Sequence, residues 1–220
     1  MDIPDAGAVY LFVAAVGFVS YLHLKWRDPR RRARRVLRTM PSTPIARVED
    51  GARVRVTGIV AAYRETTTAP VSGRPCIGFR LVVDQTTNAG PEPVLVREQC
   101  DAFWIADGSG RALVEGPSLF GVEPDEPWSN LPPSLYRMLE EAEVSLRGSF
   151  DTFREFQYTE AILAPGDRVN VIGRAQVAID PAGESQGHRS PPTLRRIVGQ
   201  RRELIMIADA DEPDGGAQPR

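Results

Sequence analysis

Few side chains in these 220 residues are suited to nucleophilic or metal chemistry: two cysteines, Cys76 and Cys100, and two histidines, His23 and His188. A Ser or Cys nucleophile needs a base in hydrogen-bond reach. His188 sits in a polar Gly/Ser/Pro stretch and His23 in an apolar run, so neither is set beside a nucleophile by its neighbours. Phosphate cradles of the G-x-x-x-x-G-K-[ST] type are absent. Cys76 reads as a small buried residue rather than a reactive thiol. Glu160 stands out more, as an acid among strand-type apolar residues after Tyr158. Ion pairing with Arg168 or Arg174 is its expected use, ahead of lining a partner-facing groove. The remaining carboxylates are scattered. The expectation is a chain without catalytic residues, cofactor or metal, with Glu160, Arg168 and Arg174 as its polar site.

Charge is divided unevenly. Residues 1–40 carry a balance of +5 and the remainder −7, which together make the chain's −2. An acidic globular part argues against binding the phosphate backbone, so no nucleic-acid partner is expected. Phe103, Trp104, Phe156 and Tyr158 are the aromatics that an OB-type single-strand binder would have to expose on a basic groove. Lys25 is the only lysine among many arginines, a skew that fits a GC-rich, bacterial coding bias.

Residues 7–24 form an almost unbroken apolar stretch. As a helix it would rise about 27 Å, close to the roughly 30 Å of a bilayer core. Asp2 and Asp5 precede it, and Lys25, Arg27, Arg30, Arg31, Arg32, Arg34, Arg35 and Arg38 follow. Under the positive-inside rule this predicts a single-pass anchor, with residues 1–6 outside and the rest cytoplasmic, in a bacterial inner membrane. The arginine run, 25–42, is then a topology signal that touches lipid headgroups. A reducing compartment also disfavours a disulfide between Cys76 and Cys100.

Beyond Pro41 and Pro44 the pattern changes to short strands punctuated by Gly and Pro. Val54 and Val56 alternate with Arg53 and Arg55; further strands are expected at 76–83, 94–97, 156–162, 166–179, 194–198 and 204–208. Residues 102–114 read as a hairpin turning at Asp107-Gly-Ser-Gly110. One helix is expected at about 135–146, capped by Ser134, with Leu135, Met138, Leu139 and Ala142 on its core face. Residues 181–192 read as a polar loop and 210–220 as a disordered acidic tail. Gly51-x-x-Val-x-Val-x-Gly58 recurs as Gly166-x-x-Val-x-Val-x-Gly173. Such strands bend at their glycines and coil, as small closed barrels need. The expected fold is mainly β: an OB-like β-barrel with one helix, plus one N-terminal transmembrane helix.

The order of these pieces resembles the GIDE domain, also called BAM, of membrane-anchored ubiquitin ligases and their prokaryotic relatives. It is carried by Thr43-Pro-Ile45, the first Gly-Val repeat, Ala69-Pro-Val-Ser-Gly73-Arg-Pro-Cys-Ile77 and Phe103-Trp-Ile-Ala-Asp107-Gly-Ser-Gly110. It continues through Tyr158-Thr-Glu160-Ala-Ile-Leu163, the second repeat and Leu204-Ile-Met-Ile207, so that it spans 43–209. In those ligases activity belongs to a RING finger with two zinc ions, each held by four Cys or His. This chain lacks those ligands, so the resemblance implies recruitment rather than ubiquitin transfer. The expected function is a membrane-anchored binding or scaffold module, presenting loops such as 65–75 and 116–133 to an unknown protein partner. A sensor component of a ubiquitin-ligase-like system, with its RING on another chain, is the alternative; an OB-type nucleic-acid binder is the third.

Overall fold

The computed structural model describes residues 36–37, 39–88, 90–147, 153–179, 193–200 and 203–210. The chain divides into two units, 1–40 and 41–220. Within the first, only helical residues 36, 37 and 39 and Met40 are described.

The expected N-terminal transmembrane helix requires correction: among the described residues no helix is long and apolar enough to cross a membrane. Residues 7–24 lie outside the described part, as do Lys25, Arg27, Arg30, Arg31, Arg32, Arg34 and Arg35 of the basic run. The expected polar loop at 181–192 and the tail from 211 also lie outside it.

The second unit is mainly β. Its strands are β1 (Arg53–Ala62), β2 (Thr67–Thr68), β3 (Pro75–Cys76), β4 (Gly78–Thr87), β5 (Gly90–Cys100), β6 (Phe103–Asp107), β7 (Gly110–Glu115), β8 (Ser118–Phe120), β9 (Phe156–Leu163), β10 (Arg168–Ile179), β11 (Thr193–Val198) and β12 (Ile205–Asp209). In the large sheet β1, β6, β7, β11 and β10 follow one another, and β10 returns to β1. That pairing closes a five-stranded barrel, parallel only between β7 and β11. It is consistent with an OB-like barrel. Strands β12 and β8 extend the sheet from β10.

The two Gly-Val repeats pair with each other inside this barrel. Val54 faces Gly173, Val56 faces Val171 and Gly58 faces Val169, in an antiparallel register. Val54, Val56, Val169 and Val171 all point into the main core. The first glycine of each repeat, Gly51 and Gly166, takes a positive φ with open space around it. The second glycines press against the neighbouring strand, β6 for Gly58 and β11 for Gly173. A Cβ on Gly58 would strike the carbonyl of Ala106, and one on Gly173 would come within 2.6 Å of Ile197 Cγ2. Each repeat therefore begins with a glycine of conformation and ends with a glycine of space.

Two strands inserted between β1 and β6 join β9, which precedes β10, in a three-stranded sheet ordered β5-β4-β9. A helix, α1 (Pro133–Glu141), packs on it through Leu135 and Leu139 against Leu81, Val83 and Phe156. The helix is shorter than expected, and its N-cap is Pro132 rather than Ser134. It stops because Glu143 takes a left-handed conformation, φ 57°. The Val144 amide then donates to the Leu139 carbonyl and the Glu143 amide to that of Glu140. This is a Schellman closure, completed by Val144 packing on the helix cluster. Strand β5 is far longer than the expected 94–97, and Ile77 separates β3 from β4 where one strand was expected.

Candidate binding face

Alternation along the barrel strands decides what faces outward. On β6, Phe103 and Ile105 enter the core, so Trp104 and Ala106 lie on the outside. On β1, Ile59 and Ala61 share that outer face, since Val56 and Val60 point inward. Strand register then sets out two cross-strand rows. One runs Arg168, Ile59, Ala106, Arg111. The next runs Ala61, Trp104, Leu113, Arg196. The result is an apolar strip, with Leu113 buried and Trp104 and Ala106 half-buried, that carries an arginine at the end of each row. Ile59 is 46% exposed at its centre.

Aromatic rings and guanidinium groups meet over this strip. The Arg111 guanidinium carbon stands 4.6 Å from the Trp104 ring centroid. Tyr63, just past β1, meets Trp104 edge-on, with centroids 5.6 Å apart at 77°. Arg64 stands 5.6 Å from the Tyr63 ring centre. Such contacts align cations with the negative faces of rings while leaving both exposed enough to be shared with a ligand. Arg196 is less free, because its Nη2 pairs with Glu115 Oε1 at 2.9 Å.

The expected polar site does not assemble. Glu160 is 5% exposed, and its partners are backbone amides rather than arginines. Val71 N donates to Oε1 and Ser72 N to Oε2, both at 2.9 Å. The carboxylate thus pins the turn between β2 and β3, which also closes through Gly73 N to Ala69 O, 3.0 Å. Arg174 lies elsewhere, sharing Glu203 Oε2 at 3.2 Å and donating to the Gly51 carbonyl at 2.8 Å. Arg53 stands directly opposite Arg174 in the ladder and reaches the other Glu203 oxygen at 3.6 Å, so one acid offsets two facing cations. Of the three residues only Arg168 belongs to the strip.

Two further polar centres hold the barrel together. Asn170 is buried on the outer side of β10; its Oδ1 accepts from Arg55 Nε at 3.1 Å and Thr57 Oγ1 at 2.7 Å, and its Nδ2 donates to the Asp209 carbonyl. Its signal in the sequence was a lone amide flanked by valines in the second repeat. Asp107 accepts from Ser109 N at 2.7 Å, Ser109 Oγ at 2.6 Å, Gly110 N at 3.0 Å and Ile45 N at 2.9 Å. Burial pushes its carboxyl up, but the hydrogen bonds together outweigh it and hold the group below the usual carboxylate range. The turn also fastens the short 3-10 helix Ile45–Arg47 over the barrel.

Both thiols are free and both are protonated at neutral pH. Burial pushes Cys100 up to about 12, partly opposed by the Ser118 hydroxyl. Burial also raises Cys76, and the neighbouring Glu160 and Asp101 charges add to it. A thiol in that state is a poor nucleophile. His188 lies outside the described residues, among which no cluster of three His, Cys, Asp or Glu is placed to hold a metal ion.

Among the four aromatics, Phe103 and Phe156 are buried, and Tyr158 packs beside the α1 cluster. Only Trp104 reaches the barrel's outer strip, where Tyr63 joins it. The chain finds no match among family models, curated proteins or solved structures.

Proposed function

We propose that the protein is a non-catalytic binding module that takes its partner on the outer barrel face around Trp104. The single observation that carries this reading is the contrast in how its polar groups are used. Glu160, Asp107 and Asn170 are spent on the fold's own backbone and neighbouring side chains. The rings of Trp104 and Tyr63, with Arg64, Arg111 and Arg168, are left at the surface around an exposed isoleucine. Aromatic and Arg side chains of this kind are the usual energetic anchors of binding surfaces. The resemblance to the GIDE domain supports a recruiting role of the same sort.

Proximity labelling from the full-length chain in its own cells tests this. The wild type is expected to enrich a reproducible partner set that a Trp104→Ala/Arg111→Ala variant loses while keeping its thermal midpoint. Identical labelling by both proteins would remove the face from consideration.

A further inference from the structure

Resting on the reading of this face as the binding surface, we infer that its ligand is a single-stranded nucleic acid. The first observation concerns what the face lacks. Strand β6 is hydrogen-bonded to β1 on one side and to β7 on the other. No strand edge is open there, so an extended peptide cannot add itself to the sheet by main-chain pairing. Recognition has to run through side chains that stand out from the strands.

Those side chains are rings and guanidinium planes. Trp104 and Tyr63 provide two aromatic surfaces with centroids 5.6 Å apart, and Arg111 stands over the first. Every nucleobase has a flat face that stacks on such groups, whatever its sequence. A guanidinium that already covers a ring is also able to slide against a base and hydrogen-bond a phosphate. Ile59 and Ala106 extend the apolar floor by one row, and Arg168 closes its far end. Cations at both ends of an apolar, aromatic strip match a chain of alternating bases and phosphates.

Charge distribution removes the objection raised by the acidic total. Of the acids beside the strip, Glu115 pairs with Arg196 and Asp167 accepts the Ala164 amide at 2.7 Å, which leaves Arg111 and Arg168 with no acid partner among the described residues. Asp107, the acid nearest the strip on β6, has its carboxylate turned into backbone amides and the Ser109 hydroxyl. The expectation that this domain takes no nucleic acid followed from net charge alone, and an average over the domain misses a local patch.

The test is fluorescence anisotropy of a labelled oligo(dT) of about 20 nucleotides with the purified full-length chain across a salt series. Trp104→Ala is expected to weaken binding at least about fivefold, the low end for loss of one stacked base. Trp104→Phe keeps a ring and should restore most of the affinity. Arg111→Ala and Arg168→Ala should each lower the salt slope by about 0.7, as for one phosphate contact on a single strand. Circular dichroism confirms that each variant is folded. Absence of binding at low salt overturns the inference. So does equal affinity in Trp104→Ala, which would assign binding to another segment such as the arginines at 27–38. Competition by polyglutamate of equal charge as effective as unlabelled oligonucleotide also overturns it, in favour of an acidic peptide. If the oligonucleotide fails while proximity labelling still depends on Trp104, the binding face stands and only its ligand class is wrong.

Discussion

In the barrel each of β1, β6, β7, β10 and β11 has a strand on both sides, whereas in the attached sheet only β4 does. Closure satisfies most strand backbone groups by pairing, with Asp107 and Asp50 serving the turns and strand ends, and what then becomes scarce is room. The barrel's tight positions are accordingly steric: Gly58 and Gly173 lie so close to the neighbouring strand that a methyl group has no place. The open sheet has the opposite problem, two edges and a loop whose polar backbone needs partners. It meets that need with side chains and bridges. Glu160 takes the Val71 and Ser72 amides, Trp128 exchanges two backbone bonds with Tyr158 along β9, and Glu98 of β5 reaches out to the Phe120 amide of β8 at 3.0 Å. On β5, Pro91 and Pro93 remove donors from the exposed edge. Space is the tighter limit in the barrel and unpaired polarity in the sheet, although Gly78 of β4 also has the Gln99 carbonyl 2.9 Å from where a Cβ would lie.

The sharpest way to break this contrast is to add a Cβ to the barrel. Gly58→Ala places it against the Ala106 carbonyl and 2.9 Å from Ile105 Cγ1, with backbone on the receiving side. The expected loss is about 3 kcal/mol or more, a large part of the roughly 5–15 kcal/mol that holds a domain folded. Gly51→Ala, in the same repeat, meets open space and bears only its φ of +75°, a cost of about 1–2 kcal/mol. Urea denaturation of both variants measures the gap. Equal losses would show that conformation, rather than space, governs the barrel corners.

That repeat was also the most legible part of the chain. Val-x-Val alternation between glycines announces a bent, one-sided strand, and two copies of equal length pair naturally. The attached sheet was harder to read because its solutions are non-local. Glu160 is distinctive in sequence, but an arginine eight residues on looked a better partner than amides 89 and 88 positions earlier. Helix α1 ends on a left-handed glutamate, where glycine is the usual marker. Strand β5 carries two prolines and three charges, a composition suited to an edge and easily taken for a loop. The binding face was half visible: the four aromatics considered together separate only once alternation sends Phe103 in and Trp104 out.

In the open sheet the matching experiment is removal of an acceptor. Glu160→Ala leaves two amides without their carboxylate in a site that is 5% exposed. The expected cost is about 2–4 kcal/mol, because orphaned buried donors forfeit their full desolvation. Glu160→Gln keeps one acceptor oxygen and should recover roughly half of that. Arg168→Ala and Arg174→Ala should leave the Glu160 site intact. A Glu160→Ala variant within about 0.5 kcal/mol of wild type would mean that water replaces the carboxylate and the turn needs no anchor.

Between the two regions sits Cys100, the last residue of β5, whose thiol is pushed up to about 12 by burial. The folded state therefore keeps its proton at pH values where the unfolded chain has lost it. Stability is full below the unfolded value near 9 and falls as pH rises toward about 12. By pH 10 the expected loss is about 1 kcal/mol. Cys100→Ala should flatten this alkaline slope while lowering stability modestly at pH 7. Denaturation midpoints at several pH values check both, and a slope unchanged in Cys100→Ala would assign the alkaline loss to other groups.

The smallest effect is expected one strand position from the Glu98 anchor. Arg97 Nη2 lies 3.6 Å from Glu141 Oε2, linking β5 to α1, but the side chains are 44% and 67% exposed. A pair in that setting is screened and spends side-chain entropy to form. A double-mutant cycle with Arg97→Ser and Glu141→Ser should return a coupling below about 0.5 kcal/mol, and raising the salt should leave it unresolvable. The neighbouring Glu98 carboxylate differs in kind. Burial raises its proton affinity, and the Phe120 amide and Arg80 only partly offset that rise, with Arg80 Nε at 3.2 Å. Its removal should cost several times more than the exposed pair. Comparable losses at Glu98 and Arg97 would mean that net charge along β5 matters more than which polar groups are buried. The contrast between a space-limited barrel and a polarity-limited sheet would then fail at its own edge strand.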